Sequence, residues 1–119
     1  MNTWDWDRVE RRLDDLKEVP MYRTTVAAMK RVLPGLRAAL PDDSPFVSHV
    51  SLSFRGARGR GVSLSWNEDD GYKVSLVLED SSSAERTLVA EERLADAIRA
   101  HLALCENYER SPAPAPQRG

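Results

Sequence analysis

Three runs of two-residue alternation between Phe46 and Leu78 constrain this chain more than any other feature. In FVSHVSLSF, Phe46, Val50, Leu52 and Phe54 are apolar, and His49, Ser51 and Ser53 fall between them. GVSLSW sets Val62, Leu64 and Trp66 against serines, and YKVSLVLE alternates Tyr72, Val74, Leu76 and Leu78 with Lys73 and Ser75. Successive side chains of a strand point to opposite faces, so each run has an apolar side and a polar side. Short connections between such runs predict an antiparallel meander with one buried and one wet face. The wet face is paved with Ser48, His49, Ser51, Ser53, Ser63, Ser65 and Ser75, joined by Lys73 and Val77. DSSSAE, 80–85, reads as a loop, and RTLV, 86–89, as either a fourth short strand or the approach to a last helix.

The connections carry opposite charges. The first holds Arg55, Gly56, Ala57, Arg58, Gly59, Arg60 and Gly61; the second, NEDDG at 67–71, holds Glu68, Asp69 and Asp70 before Gly71. Gly71 can take the positive φ that closes a tight hairpin. In a meander the two tips lie at opposite ends of the sheet, and the third run returns Glu79 and Asp80 to the basic end. Arginine forks bind phosphate bidentately and glycines let a backbone approach closely. The loop is therefore a candidate phosphate or nucleic-acid contact, with Arg11, Arg12 or Lys73 as helpers. It fits a solvated hairpin tip or a protein contact as well, since arginine is favoured at interfaces. The phosphate-cradling pattern GxxxxGK[ST] is absent.

Helical periodicity flanks the sheet. Trp6, Val9, Leu13 and Leu16 share one face of a helix over 4–18, with Asn2 or Thr3 as its cap and Asp5 and Asp7 at its positive end. Tyr22, Val26, Met29 and Leu33 define a second helix over 21–33. Pro34-Gly35 breaks or kinks it, and GLRAAL adds a further turn or two. Leu94, Ile98, His101, Leu102 and Cys105 share a side of a last helix over 90–108. The expected fold is α+β: two N-terminal helices, a three- to four-stranded antiparallel meander and a C-terminal helix, packed as two layers. Residues 1–108 form one domain, and the Pro/Ala tail of 109–119 is extended and mobile.

Chemistry-bearing residues are sparse. His101 and Cys105, four apart on one helix, have the spacing of a thiolate–imidazole pair or of two metal ligands, but no third ligand stands beside them. His49 lies on another element. The ordinary reading is a core cysteine and a boundary histidine. Asp14, Asp15 and Glu18, and likewise Glu91, Glu92 and Asp96, share helix faces with Arg or Lys and read as solvated charge. Ser81, Ser82 and Ser83 lack the strand–elbow–helix context of a nucleophilic serine. Trp4 lies off the apolar face that holds Trp6, so it either edges the core or anchors a partner.

With a formal net charge of −2, the chain lacks the basic excess of a dedicated nucleic-acid binder. The single Cys105 excludes an internal disulfide and fits a reducing, cytoplasmic setting. Residues 1–16 are charged and hold no apolar signal core, and no stretch has the length of a membrane span. The profile is of the kind seen in small bacterial immunity proteins, secretion chaperones and adaptor domains, an analogy of class rather than of motif. The expectation is a non-enzymatic module that binds one protein partner, without cofactor or metal. Its binding residues are Arg55, Arg58, Arg60, Trp4, Glu68, Asp69 and Asp70. The alternative is nucleic-acid or phosphate-ligand binding through the Arg/Gly loop 55–61. A homodimer is open to the chain through an unpaired strand edge.

Overall fold

The computed structural model describes residues 4–43 and 45–109. Helix α1 (Trp6–Leu16) begins at Asp5, whose carboxylate accepts a 2.7 Å hydrogen bond from the Arg8 N–H. Asp5 takes the capping role; the expected caps Asn2 and Thr3 lie outside the described residues. A single turn over Pro20–Tyr22 leads into α2 (Arg23–Ala39). The sheet follows as β1 (Phe46–Ser48), β2 (Ser51–Arg55), β3 (Gly61–Asn67), β4 (Gly71–Val77) and β5 (Ser83–Leu88), in spatial order β1-β2-β3-β4-β5 with every pair antiparallel. Helix α3 (Leu94–Asn107) closes the fold. This is the α+β arrangement expected, with five strands instead of three to four. The Pro/Ala tail from residue 110 lies outside the described residues.

Helix α2 runs through Pro34 instead of stopping at residue 33. Proline costs a helix its i−4 hydrogen bond, but Val32, Leu33 and Leu36 on both sides of it are buried, and Pro34 itself is exposed. Burial of that apolar face, at roughly 1.5–3 kcal/mol per large side chain, outweighs one lost bond.

The run 46–54 is two strands rather than one. Ser48 pairs with Ser51, so His49 and Val50 form a two-residue hairpin loop, with His49 at φ 58°. Such turns need a positive φ and usually advertise it with Gly or Asn. Histidine is among the few other residues that tolerate it. The extra turn changes the facing of what precedes it: Phe46 pairs with Ser53 and lies on the serine side, not with the core residues Leu52 and Phe54.

Residues 83–85 belong to β5 rather than to a loop. Val74 pairs with Thr87 and Leu76 with Ala84, which leaves Glu85 and Arg86 together opposite Ser75. This is a β-bulge, with Glu85 at φ 49°. The bulge and its two charges blunt the β5 edge against a further strand.

Leu52, Phe54, Val62, Leu64, Tyr72, Val74, Leu76 and Leu78 point to the helices and are buried with Trp6, Val9, Leu13, Val26, Met29, Leu94, Ile98 and Cys105. Trp6 and Phe54 pack with ring centroids 6.1 Å apart, and the Trp6 indole donates to Leu40 O at 3.1 Å. All three helices pack on this one face, and among the described residues no helix covers the other.

Candidate functional site

The Arg/Gly loop is built around the end of α3. That helix has no basic residue in its last turn, and the loop supplies the missing cations. The Arg60 guanidinium donates to Tyr108 O at 2.7 Å and Cys105 O at 3.2 Å, while its Nε meets Glu79 at 3.0 Å. The Arg58 guanidinium donates to Glu106 O at 3.1 Å. Helix C-termini leave carbonyls unpaired and carry partial negative charge, so cations there satisfy both needs. The loop closes through a single turn at Ala57–Gly59, with Arg58 at φ 61° and Gly59 at φ 71°. Its glycines answer to contact as well as to φ. A Cβ on Gly56 would stand 2.5 Å from Cys105 Sγ, and one on Gly61 would stand 2.6 Å from Phe54 O.

Arg55 differs from its two neighbours. It sits at the exposed end of β2 with its guanidinium 5.1 Å from the centre of the Phe46 ring. Phe46 and Arg55 form one wall of a hollow of about 400 Å³ in the uncovered sheet face. Arg55, Gly61 and Val77 form one cross-strand row, in which the Gly61 backbone lies at the floor and Val77 makes the far wall. Beyond it the face is mostly serine, with Lys73 and the exposed Leu88 at its far side. Ser53, Ser63 and Ser75 form the next row, and Ser65, Lys73 and Leu88 the row after.

The acidic tip stands at the other end of the sheet. Asn67 Oδ1 accepts from the Asp69 and Asp70 N–H groups at 2.9 and 2.8 Å, and Gly71 closes the turn at φ 77°. Glu68, Asp69 and Asp70 are exposed there, a sheet length away from Arg55, Arg58 and Arg60. Trp4 is half-buried at the start of α1, with the Arg8 guanidinium 4.1 Å above its ring. The candidate binding residues therefore occupy three separate places.

His101 and Cys105 do not pair with one another. The His101 ring nitrogens lie 2.8 Å from Ala97 O and 2.9 Å from Glu85 O, the second contact pinning the β5 bulge to α3. The Cys105 thiol faces its own helix, 3.6 Å from His101 O, and burial pushes its pKa up, away from thiolate chemistry. His49 stands exposed in the first hairpin turn. Asp14 pairs with Lys30, whose hydrogen bond is the main reason its carboxyl sits below the usual range. Glu91 pairs with Arg31 at 3.1 Å and Asp96 with Arg99 at 3.3 Å. Among the described residues no group of three or more His, Cys, Asp or Glu side chains could hold a metal ion. Among the same residues no helix is long and apolar enough to cross a membrane.

Phe46 is the site residue that alternation hides, because it shares the parity of the core residues Leu52 and Phe54. Only the turn at His49-Val50 reverses it. No family model matches this chain, and neither a curated protein nor a solved structure matches it.

Proposed function

We propose that this chain is a non-enzymatic binding module that docks one protein partner on its uncovered sheet face. The observation that carries the reading is the hollow floored by Gly61 between the Phe46–Arg55 wall and Val77. Protein interfaces concentrate their energy where one side chain enters a desolvated pocket edged by aromatic and arginine groups. Small serines around the hollow let a partner approach with few side chains to immobilise, which lowers the entropy cost of association. An immunity-, chaperone- or adaptor-like role and a cytoplasmic setting belong to the same reading; the lone free thiol supports the setting.

The test is affinity capture from native lysate with the intact chain and with Val77→Arg, which fills the hollow from the solvent side of β4. A single stoichiometric protein should survive a high-salt wash with the intact chain and vanish with the variant. Capture that is empty, or equal for both, overturns the reading. Nucleic acid captured at low salt and lost at high salt would favour the Arg/Gly loop instead.

A further inference from the structure

Helix α1 divides its charges between its two flanks. Toward α2, Asp7 and Glu10 pair with Arg37 at 2.8 and 3.4 Å, and Asp14 pairs with Lys30. These carboxylates are engaged on that side. On the other flank, Arg8, Arg11 and Arg12 line a groove of about 540 Å³ between α1 and β1, together with Trp4, Asp15 and Val47. Arg8 is held over the Trp4 ring. Arg11 and Arg12 are exposed and have no ion-pair partner among the described residues, and Asp15 is the one carboxylate in the lining. The groove is also bounded by a sheet edge. β1 is the first strand in the order, so among the described residues no strand lies beside its outer edge.

We propose that this groove is a second binding site, which takes an acidic peptide segment in extended conformation. It is distinct from the hollow on the opposite side of the sheet. Two features select that ligand. Unpaired backbone at a sheet edge recognises an extended chain by strand addition, while pockets beside the edge read alternate side chains. Arg11 and Arg12 stand exposed on the flank of α1 beside β1 and offer two guanidiniums to a chain lying along that edge. Alternate side chains of a strand share one face, so carboxylates at alternate positions can all turn toward these arginines. A three-residue β1 offers few main-chain bonds, so charge supplies most of the affinity and the edge supplies orientation. A nucleic-acid strand would use the arginines but not the main-chain groups of the edge.

The probe is an end-blocked, fluorescein-labelled peptide Glu-Val-Glu-Val-Glu-Val, titrated by anisotropy at low ionic strength, where charges act over tens of ångströms. Saturable binding is expected. Arg11→Glu with Arg12→Glu should weaken it about ten-fold or more, since each exposed pair changes affinity by a few-fold. Asp15→Asn should strengthen it about two-fold on the same footing. The block isomer Glu-Glu-Glu-Val-Val-Val should bind several-fold more weakly. Val77→Arg should leave the titration unchanged, which separates this groove from the sheet-face hollow. All four substitutions lie on exposed or half-exposed positions, and thermal melts confirm that the variants fold. The proposal is overturned by absent binding in the intact chain, by indifference to the arginine reversals or by equal binding of the block isomer. It is also overturned by tighter binding of a single-stranded oligonucleotide of equal charge.

Discussion

Arg60 offers the sharpest test of how the Arg/Gly loop is employed. Its side chain is only 11% exposed, and one terminal nitrogen reaches both Cys105 O and Tyr108 O at the end of α3. A hydrogen bond with a charged donor contributes roughly 1.5–3 kcal/mol. A cation at a partly buried helix C-terminus contributes up to about 2 kcal/mol. The two terms overlap, so Arg60→Ala should cost about 2–4 kcal/mol. For a chain of 119 residues, unfolding entropy near 2.1 cal/mol/K per residue turns this into a Tm drop of about 8–16 °C. Arg60→Lys keeps the charge but loses the planar fork, and should recover about half. Arg55→Ala removes only an exposed cation–π contact, worth about 0.5 kcal/mol. Urea and thermal unfolding of the four proteins measure these values. Equal stability of Arg60→Ala and Arg55→Ala, within about 0.5 kcal/mol, would refute the clamp. Acid adds a second readout. The Glu79 carboxyl is held below its ordinary value near 4.5, first by a backbone hydrogen bond and then by Arg60. A depressed carboxylate stabilises the fold above its unfolded pKa and loses that contribution as pH falls through the folded one. Arg60→Ala removes the second cause, so its stability should fall less steeply than that of the intact chain below about pH 4.5.

Two further outcomes follow from the same corner of the fold. Gly56 has φ −117°, a conformation open to any residue, so Gly56→Ala acts through its clash with Cys105 and, more weakly, its close approach to Arg60 O; unfolding should show a loss of about 1–3 kcal/mol, reduced by roughly 1 kcal/mol in a Cys105→Ala background. Cys105 is fully buried with a raised pKa, so iodoacetamide should modify it at a rate set by opening of the structure, fast in denaturant and faster for Arg60→Ala than for the intact chain.

The helices and the inner sheet face were legible because they rest on periodicity, which burial enforces over many residues at once. Val9, Leu13, Val26, Met29, Leu64, Val74 and Ile98 lie where their spacing puts them. What escaped was local and conformational. Nothing in SHVS announces a turn, since His49 takes its positive φ without glycine or asparagine, and one unseen turn was enough to misplace Phe46. Residues 83–85 looked like loop because serine and glutamate are poor strand formers. Pairing with β4 and the His101 contact to Glu85 O hold them in the sheet regardless. The Arg/Gly loop misled differently. Composition alone cannot distinguish an arginine that awaits a ligand from one that already has a helix end to cap.

That distinction also separates the arginines whose guanidiniums cap α3 from those that no backbone carbonyl takes up among the described residues. Of the loop's three arginines, Arg58 and Arg60 lie past the last strand pair, where the chain folds back on α3 and its carbonyls accept them. Arg55 is still in register with Gly61, so strand parity turns it to the uncovered face and away from α3. The same partition recurs on α1, where contact with α2 engages the carboxylates and leaves Arg11 and Arg12 at the β1 edge. Both leftover groups adjoin β1: Arg55 lies over Phe46 on one side of the strand, and the α1 arginines line the groove at Val47 on the other. At the opposite edge, β5 spends its Glu85–Arg86 pair on a bulge pinned by His101. The sheet is therefore asymmetric, blunted by its bulge at β5 and flanked by arginines at β1, and the two proposed surfaces are separable: Val77→Arg should abolish binding at the hollow alone, and the Arg11/Arg12 reversals binding at the groove alone.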